Sequence, residues 1–375
     1  MEPVRSKARF LQAVEASGLL SDEQLRLVRY SESEDEPAEL FARHLLDLGW
    51  LTDWQVEHLL AGRTAFHVDG YSLQHFLGRG RMGLVFRAIQ RSTGRAVAVK
   101  IMAKELLENE RSVQRFLREI RLIAQTSHPN IVTAFDAGKL RDGRYYLVTE
   151  YVAGRDLAKW LGDAGSLPVG WACECAYQAC LGLQHVLDKG LVHRDIKPSN
   201  IVAMGNSVDE RPCIKMLDLG LGRFTRYDSE ERDLTRDGYT LGTFEYASPE
   251  QVRDARSVDI RADIYSLGTT LFQLLTGRLP FEGENLVDKL TAKLTQDPPL
   301  VSELRSDVPR ALSEIVAWMM RREPDQRPVA PVRAAEALLP FAMSRATEST
   351  VTINGGAKRR NGASTAAAVR PFPDQ

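Results

Sequence analysis

HRDIKPSN, residues 193 to 200, decides how this 375-residue chain is read. One octapeptide holds a carboxylate, Asp195, a cation, Lys197, and an amide, Asn200. Phosphoryl transfer calls for those three types together. A carboxylate orients an attacking hydroxyl and accepts its proton, a lysine offsets charge on the moving group, and an amide oxygen binds magnesium. The combination is too specific to pass as a chance run.

Working outward, Asp218-Leu219-Gly220 follows the apolar run IKML, 18 residues beyond Asn200. By itself this is an ordinary turn, but at that distance an aspartate at a strand end suits a magnesium ion bridging phosphates. Ser248-Pro249-Glu250 then closes a segment rich in Thr, Asp and Arg. Upstream, Gly78, Gly80 and Gly83 stand in GRGRMGLV. The G-x-G-x-x-G pattern alone is weak, because dinucleotide-binding folds share it. There the glycines open a helix, whereas strand-like LVFRAI follows here. A strand–turn–strand lets a glycine hairpin close over phosphates with its backbone N–H groups. Lys100 ends the apolar strand AVAVK, and such a lysine is often only a snorkelling edge residue. Its distance from the glycines also lets it reach phosphates, given an anchor. Glu119, on the next helix beside Phe116, Ile120 and Ile123, suits that role, and Glu105, Glu108 and Glu110 compete for it.

Together these residues resemble the protein kinase family, in its bacterial serine/threonine branch, over about residues 70 to 340. The order is the family's: glycine loop, V-A-V-K, helix glutamate, H-R-D-x-K-P-x-N, D-x-G, P-E. The resemblance implies that Lys100 pairs with Glu119, that Asp195 is the catalytic base with Lys197 beside it, and that Asn200 and Asp218 hold Mg2+. It implies an ATP site from Leu77, Gly78, Arg79, Gly80, Arg81, Met82, Gly83 and Leu84. Val85 and Ala98 would sandwich the adenine, Glu150 and Val152 would form the hinge, and Thr149 would guard the pocket behind it. Asp263 resembles the buried aspartate that ties down the catalytic loop, and Arg327 the partner of Glu250. Serine/threonine specificity is implied by Lys197, Pro198 and Thr243, the last bridging catalytic aspartate and lysine. The departures, Arg81, Phe86, Leu219 and Ser248, remove no reacting group. Arg194 beside Asp195 implies an activation loop held by phosphorylation, at Thr235 or Thr240.

Composition sets the bounds. At roughly 150 residues per domain the length allows two to three domains. Lys and Arg total 49 against 50 Asp and Glu, which points to neither a nucleic-acid nor a membrane-surface binder. Four cysteines, Cys173, Cys175, Cys180 and Cys213, are too few for a disulfide framework. The first three lie in WACECAYQACLGLQHVL, which reads as a buried helix, and no His pair completes a metal set. The first residues hold no secretory h-region. The most apolar run, ADIYSLGTTLFQLLTG, carries Asp263 and is too short for a membrane span. Cytoplasmic location is the default expectation.

The pattern along the chain predicts an α+β protein with a two-lobed protein kinase fold, preceded by a small all-helical module. That module spans residues 1–65, with capping boxes at Ser21–Gln24 and Thr52–Gln55. Leu40, Phe41, His44, Leu45 and Leu48 recur at helical spacing. The kinase-like region spans 70–342, divided into a β-rich lobe, 70–152, and a helical lobe, 153–342. Strands are expected at YSLQHFLGRG, LVFRAIQ, AVAVKIM and YYLVTEYV, with a helix over 105–126. Residues 343–375 read as a disordered tail. The implied partners are proteins with Ser/Thr acceptors, a docking partner for the helical module, and a second copy for autophosphorylation in trans. The competing function is a nucleotide-binding scaffold that signals without transferring phosphate, and loss of Lys100, Asp195 or Asp218 would mark it.

Overall fold

The computed structural model describes residue 4 and residues 6–29, 37–80, 82–218, 244–253 and 258–343; the side chains of Arg111, Arg115, Glu119 and Leu122 fall outside that description. Four helices come first: α1 (Lys7–Ser17), α2 (Asp22–Arg29), α3 (Ala38–Asp47) and α4 (Asp53–Leu60). Both capping boxes form. Ser21 N–H donates to Gln24 Oε1 at 2.9 Å and Thr52 N–H to Gln55 Oε1 at 3.0 Å. Gly62 adopts φ 75° just past α4, the left-handed turn that glycine favours. Phe10, Val14, Phe41, Leu45 and Leu59 join in a core of their own. Leu40 and Leu48 depart from the expected apolar face: both are exposed. Of the acidic stretch SESEDEPAE, residues 31–39, which reads as a solvated connector, 31–36 lie outside the described residues, and Ala38 and Glu39 open α3 instead.

The first lobe is a six-stranded antiparallel sheet ordered β1-β2-β3-β4-β6-β5. Its strands are β1 (His67–Val68), β2 (Tyr71–Gly80), β3 (Gly83–Gln90), β4 (Ala96–Met102), β5 (Ala134–Lys139) and β6 (Tyr145–Glu150). The four expected strands are all present. β1 and β5 are additional, and β5 reads AFDAGK, with Asp136 and Gly138 breaking any alternation. The expected helix over 105–126 is shorter. A 3-10 turn, Lys104–Leu106, comes first, and α5 (Glu110–Ile123) begins where the Asn109 carboxamide accepts from Ser112 N–H at 3.1 Å. Alternation splits the sheet into two faces. Phe86, Ala88, Val97 and Val99 form an outer cluster, while Val85, Ala98 and Lys100 lie on the opposite face.

The second lobe is mostly helical: α6 (Leu157–Ala164), α7 (Val169–Asp188), α8 (Pro249–Arg253), α9 (Ile260–Thr276), α10 (Leu286–Thr295), α11 (Val301–Leu304), α12 (Arg310–Met319) and α13 (Pro331–Leu338). A small sheet, β7 (Arg155–Asp156), β8 (Ile201–Met204) and β9 (Cys213–Met216), lies within it. The β8–β9 pair flanks the stretch between Asn200 and Asp218. α9 is buried on nearly every side. Its hydroxyls stay satisfied by back-bonding: Ser266, Thr269 and Thr270 each donate to the carbonyl four residues earlier. α7 is buried likewise, and Cys173, Cys175 and Cys180 are core residues within it, while Cys213 is exposed. Burial pushes the Cys173 and Cys180 thiols up to about 12. Among the described residues no helix is long and apolar enough to cross a membrane.

Candidate active site

The loop 193–200 hangs from α9. Asp263, with no exposed surface, accepts His193 N–H on one carboxylate oxygen and Arg194 N–H on the other, each at 2.6 Å. Charge-assisted bonds in a low-dielectric interior are short and strong. They hold Arg194 at φ 68°, a left-handed conformation that costs a non-glycine residue about 1–3 kcal/mol. His193 is buried on the other side of the turn. Its Nε2 pairs with the Leu217 carbonyl at 3.1 Å and its Nδ1 with Asp195 N–H at 3.4 Å, which makes Nε2 the protonated nitrogen. Burial holds this imidazole below its usual range, and hence neutral.

From that anchorage the three polar side chains of the loop converge. Lys197 Nζ lies 3.0 Å from Asp195 Oδ2, and Asn200 Nδ2 donates to the same oxygen at 2.9 Å and to the Asp195 carbonyl at 2.8 Å. The amide nitrogen is thereby committed to Asp195, and Oδ1 is the acceptor of the Asn200 carboxamide. Leu217 N–H donates to the Asn200 carbonyl at 2.8 Å, so the residue before Asp218 is tied to the same loop. Asp218 itself is at φ 43°, a second left-handed non-glycine residue.

The first lobe meets this cluster at Lys100. Lys100 Nζ meets Asp218 Oδ1 at 3.0 Å, with the lysine side chain largely buried and the carboxylate half exposed. Lys100 reaches the cleft because β4 pairs it with Val85 on one side and Leu147 on the other. Ala98 pairs with Thr149, on the same face. The glycine hairpin joins β2 to β3 through Gly80 paired with Gly83. Gly83 must be glycine, because an added Cβ would land on the Ile101 carbonyl oxygen. Gly78 has nothing within 4 Å of such an atom, and Gly80 meets only the Gly83 carbonyl at 3.9 Å, so that side of the hairpin is open. Leu77, Arg79 and Gly80 are exposed; Met82 packs inward against the main core. Leu84 packs on the outer cluster, so its side chain does not share the face of Val85. Glu150 and Val152 follow at the end of β6, both half-buried.

Asn200 Oδ1 and the Asp218 carboxylate are a hard-oxygen pair, the donor type magnesium takes, and a magnesium ion fills its remaining positions with water and phosphate oxygens. The residues present therefore fit that ion. No cluster of three His, Cys, Asp or Glu suited to another metal occurs among the described residues. Arg81, Leu219, Gly220, Thr235, Thr240 and Thr243 lie outside the described residues, as does the Glu119 side chain, although α5 carries Glu119 in its third turn.

Several supporting residues carry no motif. Lys215 donates to Glu150 Oε1 at 2.7 Å, and Thr133 N–H reaches the same oxygen at 2.8 Å, linking β9 to the end of β6. Lys293 is buried and donates to the carbonyls of Phe244, Glu245 and Ala247 at 2.9, 2.7 and 2.7 Å. Gln251 fixes the turn from Ser248 and reaches the Arg194 carbonyl at 3.3 Å. A lone lysine or glutamine in sequence gives no sign of such work. By contrast, Arg327 meets Glu250 in a bidentate pair at 2.6 and 2.7 Å, as the resemblance implies.

The family model described as protein kinase domain matches residues 71–338. The serine/threonine-protein kinases pkn3 and Pkn1 of Myxococcus xanthus are similar to the chain, at 36% identity over 69% of it and 37% over 68%. These matches span 47% and 36% of the two relatives, so the chain corresponds to less than half of each. Among solved structures, the PknI kinase domain of Mycobacterium tuberculosis is 24% identical, with a TM-score of 0.56, over 74% of this chain and 98% of that one. At that identity the likeness speaks for the fold.

Proposed function

Because the chain belongs to the protein kinase family, we propose that it transfers the γ-phosphoryl group of ATP to serine or threonine hydroxyls of proteins. The observation that carries this reading is the Asp195 carboxylate, clasped by Lys197 and Asn200 in a loop suspended from buried Asp263. A carboxylate so placed orients a hydroxyl and accepts its proton as the oxygen attacks phosphorus. Lys197 offsets charge gathering on the moving group. Lys100, fixed at Asp218, is positioned for phosphate oxygens of the nucleotide. Magnesium, held by Asn200 and Asp218, would neutralise phosphate charge. Positioning supplies much of the remainder. On this reading the kinase domain is residues 70–342, and Thr235 and Thr240 are the candidates for autophosphorylation. The scaffold alternative has nothing in its favour, since Lys100, Asp195 and Asp218 are all present.

The test is incubation of the full chain with labelled ATP and magnesium, followed by mapping of modified residues. Asp195→Asn should lower turnover by about 10²- to 10⁴-fold, the loss typical of a general base. Undiminished transfer in that variant rejects the assignment.

A further inference from the structure

Among the described residues, the helical module meets the edge of β2 through specific side-chain hydrogen bonds. β1 pairs with Ser72 and Tyr71, and the Leu73 N–H still donates to the Phe66 carbonyl at 2.8 Å, so from the Leu73 carbonyl onward β2 is an edge strand. An edge leaves backbone groups without ladder partners. β2 also carries a bulge there. Leu73 opposes Ala88 and His75 opposes Arg87, which leaves Gln74 unopposed. The two carbonyls at this bulge are met by the capping box of α4: Gln55 Nε2 donates to the Leu73 carbonyl at 2.7 Å and Thr52 Oγ1 to the Gln74 carbonyl at 2.6 Å. Gln55 is buried at 2% exposure.

Between these two residues, Trp54 spans the interface. Its ring lies 5.5 Å from Phe66 and 5.6 Å from Phe86, and Phe86 lies 5.6 Å from its cross-strand partner Phe76. Phe76 is two residues before Gly78, and Phe86 directly follows Val85. An aromatic chain therefore runs from the module's core to the base of the glycine hairpin. Burial alone would be served by docking anywhere on the outer face of the sheet. The donors instead meet the first of two bulges in β2, the strand that leads into the hairpin; the second leaves Leu77 unopposed between Phe76 and Gly78, and bulges set the direction of the strand beyond them.

We propose that residues 52–55 form a brace that sets the position of the glycine hairpin, with Thr52 and Gln55 as positioning residues for the nucleotide. The inference rests on the nucleotide-binding reading above and gives the helical module a role in it. Gln55→Glu isolates the brace. It keeps the acceptor for Thr52 N–H, and a carboxylate in the first turn favours α4. What it loses is the donor, setting an oxygen against the Leu73 carbonyl.

The experiment titrates the full chain with magnesium–ADP by calorimetry, which needs no turnover, and follows amide hydrogen exchange over residues 76–84 without nucleotide. Gln55→Glu should weaken nucleotide about five-fold, the scale of one lost hydrogen bond, and speed that exchange. Trp54→Leu, which shortens the reach to Phe86, should do both, and it serves as the second probe if Gln55→Glu fails to fold. Ser21→Ala, at the exposed cap of α2, should lower the melting temperature and leave affinity unchanged. Unchanged affinity and exchange in Gln55→Glu and Trp54→Leu, or an equal loss of affinity in Ser21→Ala, overturns the brace. A parent chain that binds no nucleotide sinks the site reading instead. The brace then stands or falls on exchange alone.

Discussion

Two loops face one cleft, and they are held in opposite ways. The 193–200 loop hangs from Asp263, fully buried and bonded to two consecutive N–H groups, and closes on itself through Asp195, Lys197 and Asn200. The 78–83 hairpin is held at its base, by pairing with β4 and by α4 on the edge of β2, while Leu77, Arg79 and Gly80 face solvent. A group that handles a proton needs its geometry fixed before substrate arrives, and a buried carboxylate does that because little water competes for its bonds. On the proposed reading the hairpin admits and releases a nucleotide, which requires movement, and an exposed hairpin moves at low cost.

The largest effect that would test this contrast is at the anchor. Asp263→Ala leaves two buried N–H groups without an acceptor, at about 1–3 kcal/mol each. Urea unfolding should show a loss of about 2–6 kcal/mol, with turnover falling alongside. A loss well under 1 kcal/mol would mean the loop does not depend on that carboxylate. Within the hairpin, Gly83→Ala should cost about 1–3 kcal/mol, since the new methyl meets backbone. Gly78→Ala, in open space, should change stability by no more than about 0.5 kcal/mol. Equal costs at the two glycines would erase the distinction between a tight base and an open tip.

The smallest effect is a slope. His193 is neutral when folded because burial lowers its pKa, and the unfolded chain regains an ordinary imidazole near 6.5. Below that pH the unfolded state binds the extra proton, so stability should fall as pH drops from about 6.5. Thermal midpoints of the parent between pH 5.5 and 7.5, compared with His193→Asn, isolate this share, because His75 and His128, also lowered by burial, remain in both chains. Parallel curves would remove His193 from the account.

The sequence conveyed the polar groups of the cleft better than their supports. HRDIKPSN is legible because its chemistry is dense within eight residues. The anchoring of that loop by Asp263 and the Arg327–Glu250 pair came through resemblance, and the geometry agrees. β5 was illegible because AFDAGK is largely exposed and does not alternate. The start of the helix expected over 105–126 falls later, at Glu110, because Asn109 caps it there. Thr52 and Gln55 hid in plain view. A capping box accounts for one hydrogen-bonding capacity of each side chain, and nothing local reveals that the hydroxyl proton and the amide hydrogens are pledged to a strand some 20 positions later. Such second uses depend on tertiary contact, which period and spacing do not encode.

The distribution of sulfur has a practical corollary. With three thiols sealed inside α7 and the fourth, Cys213, at the exposed start of β9, a maleimide dye should label the native chain at a single position without any engineering. That position begins the strand running toward Asp218, so the fluorophore would report on the Asp218 side of the cleft from outside it.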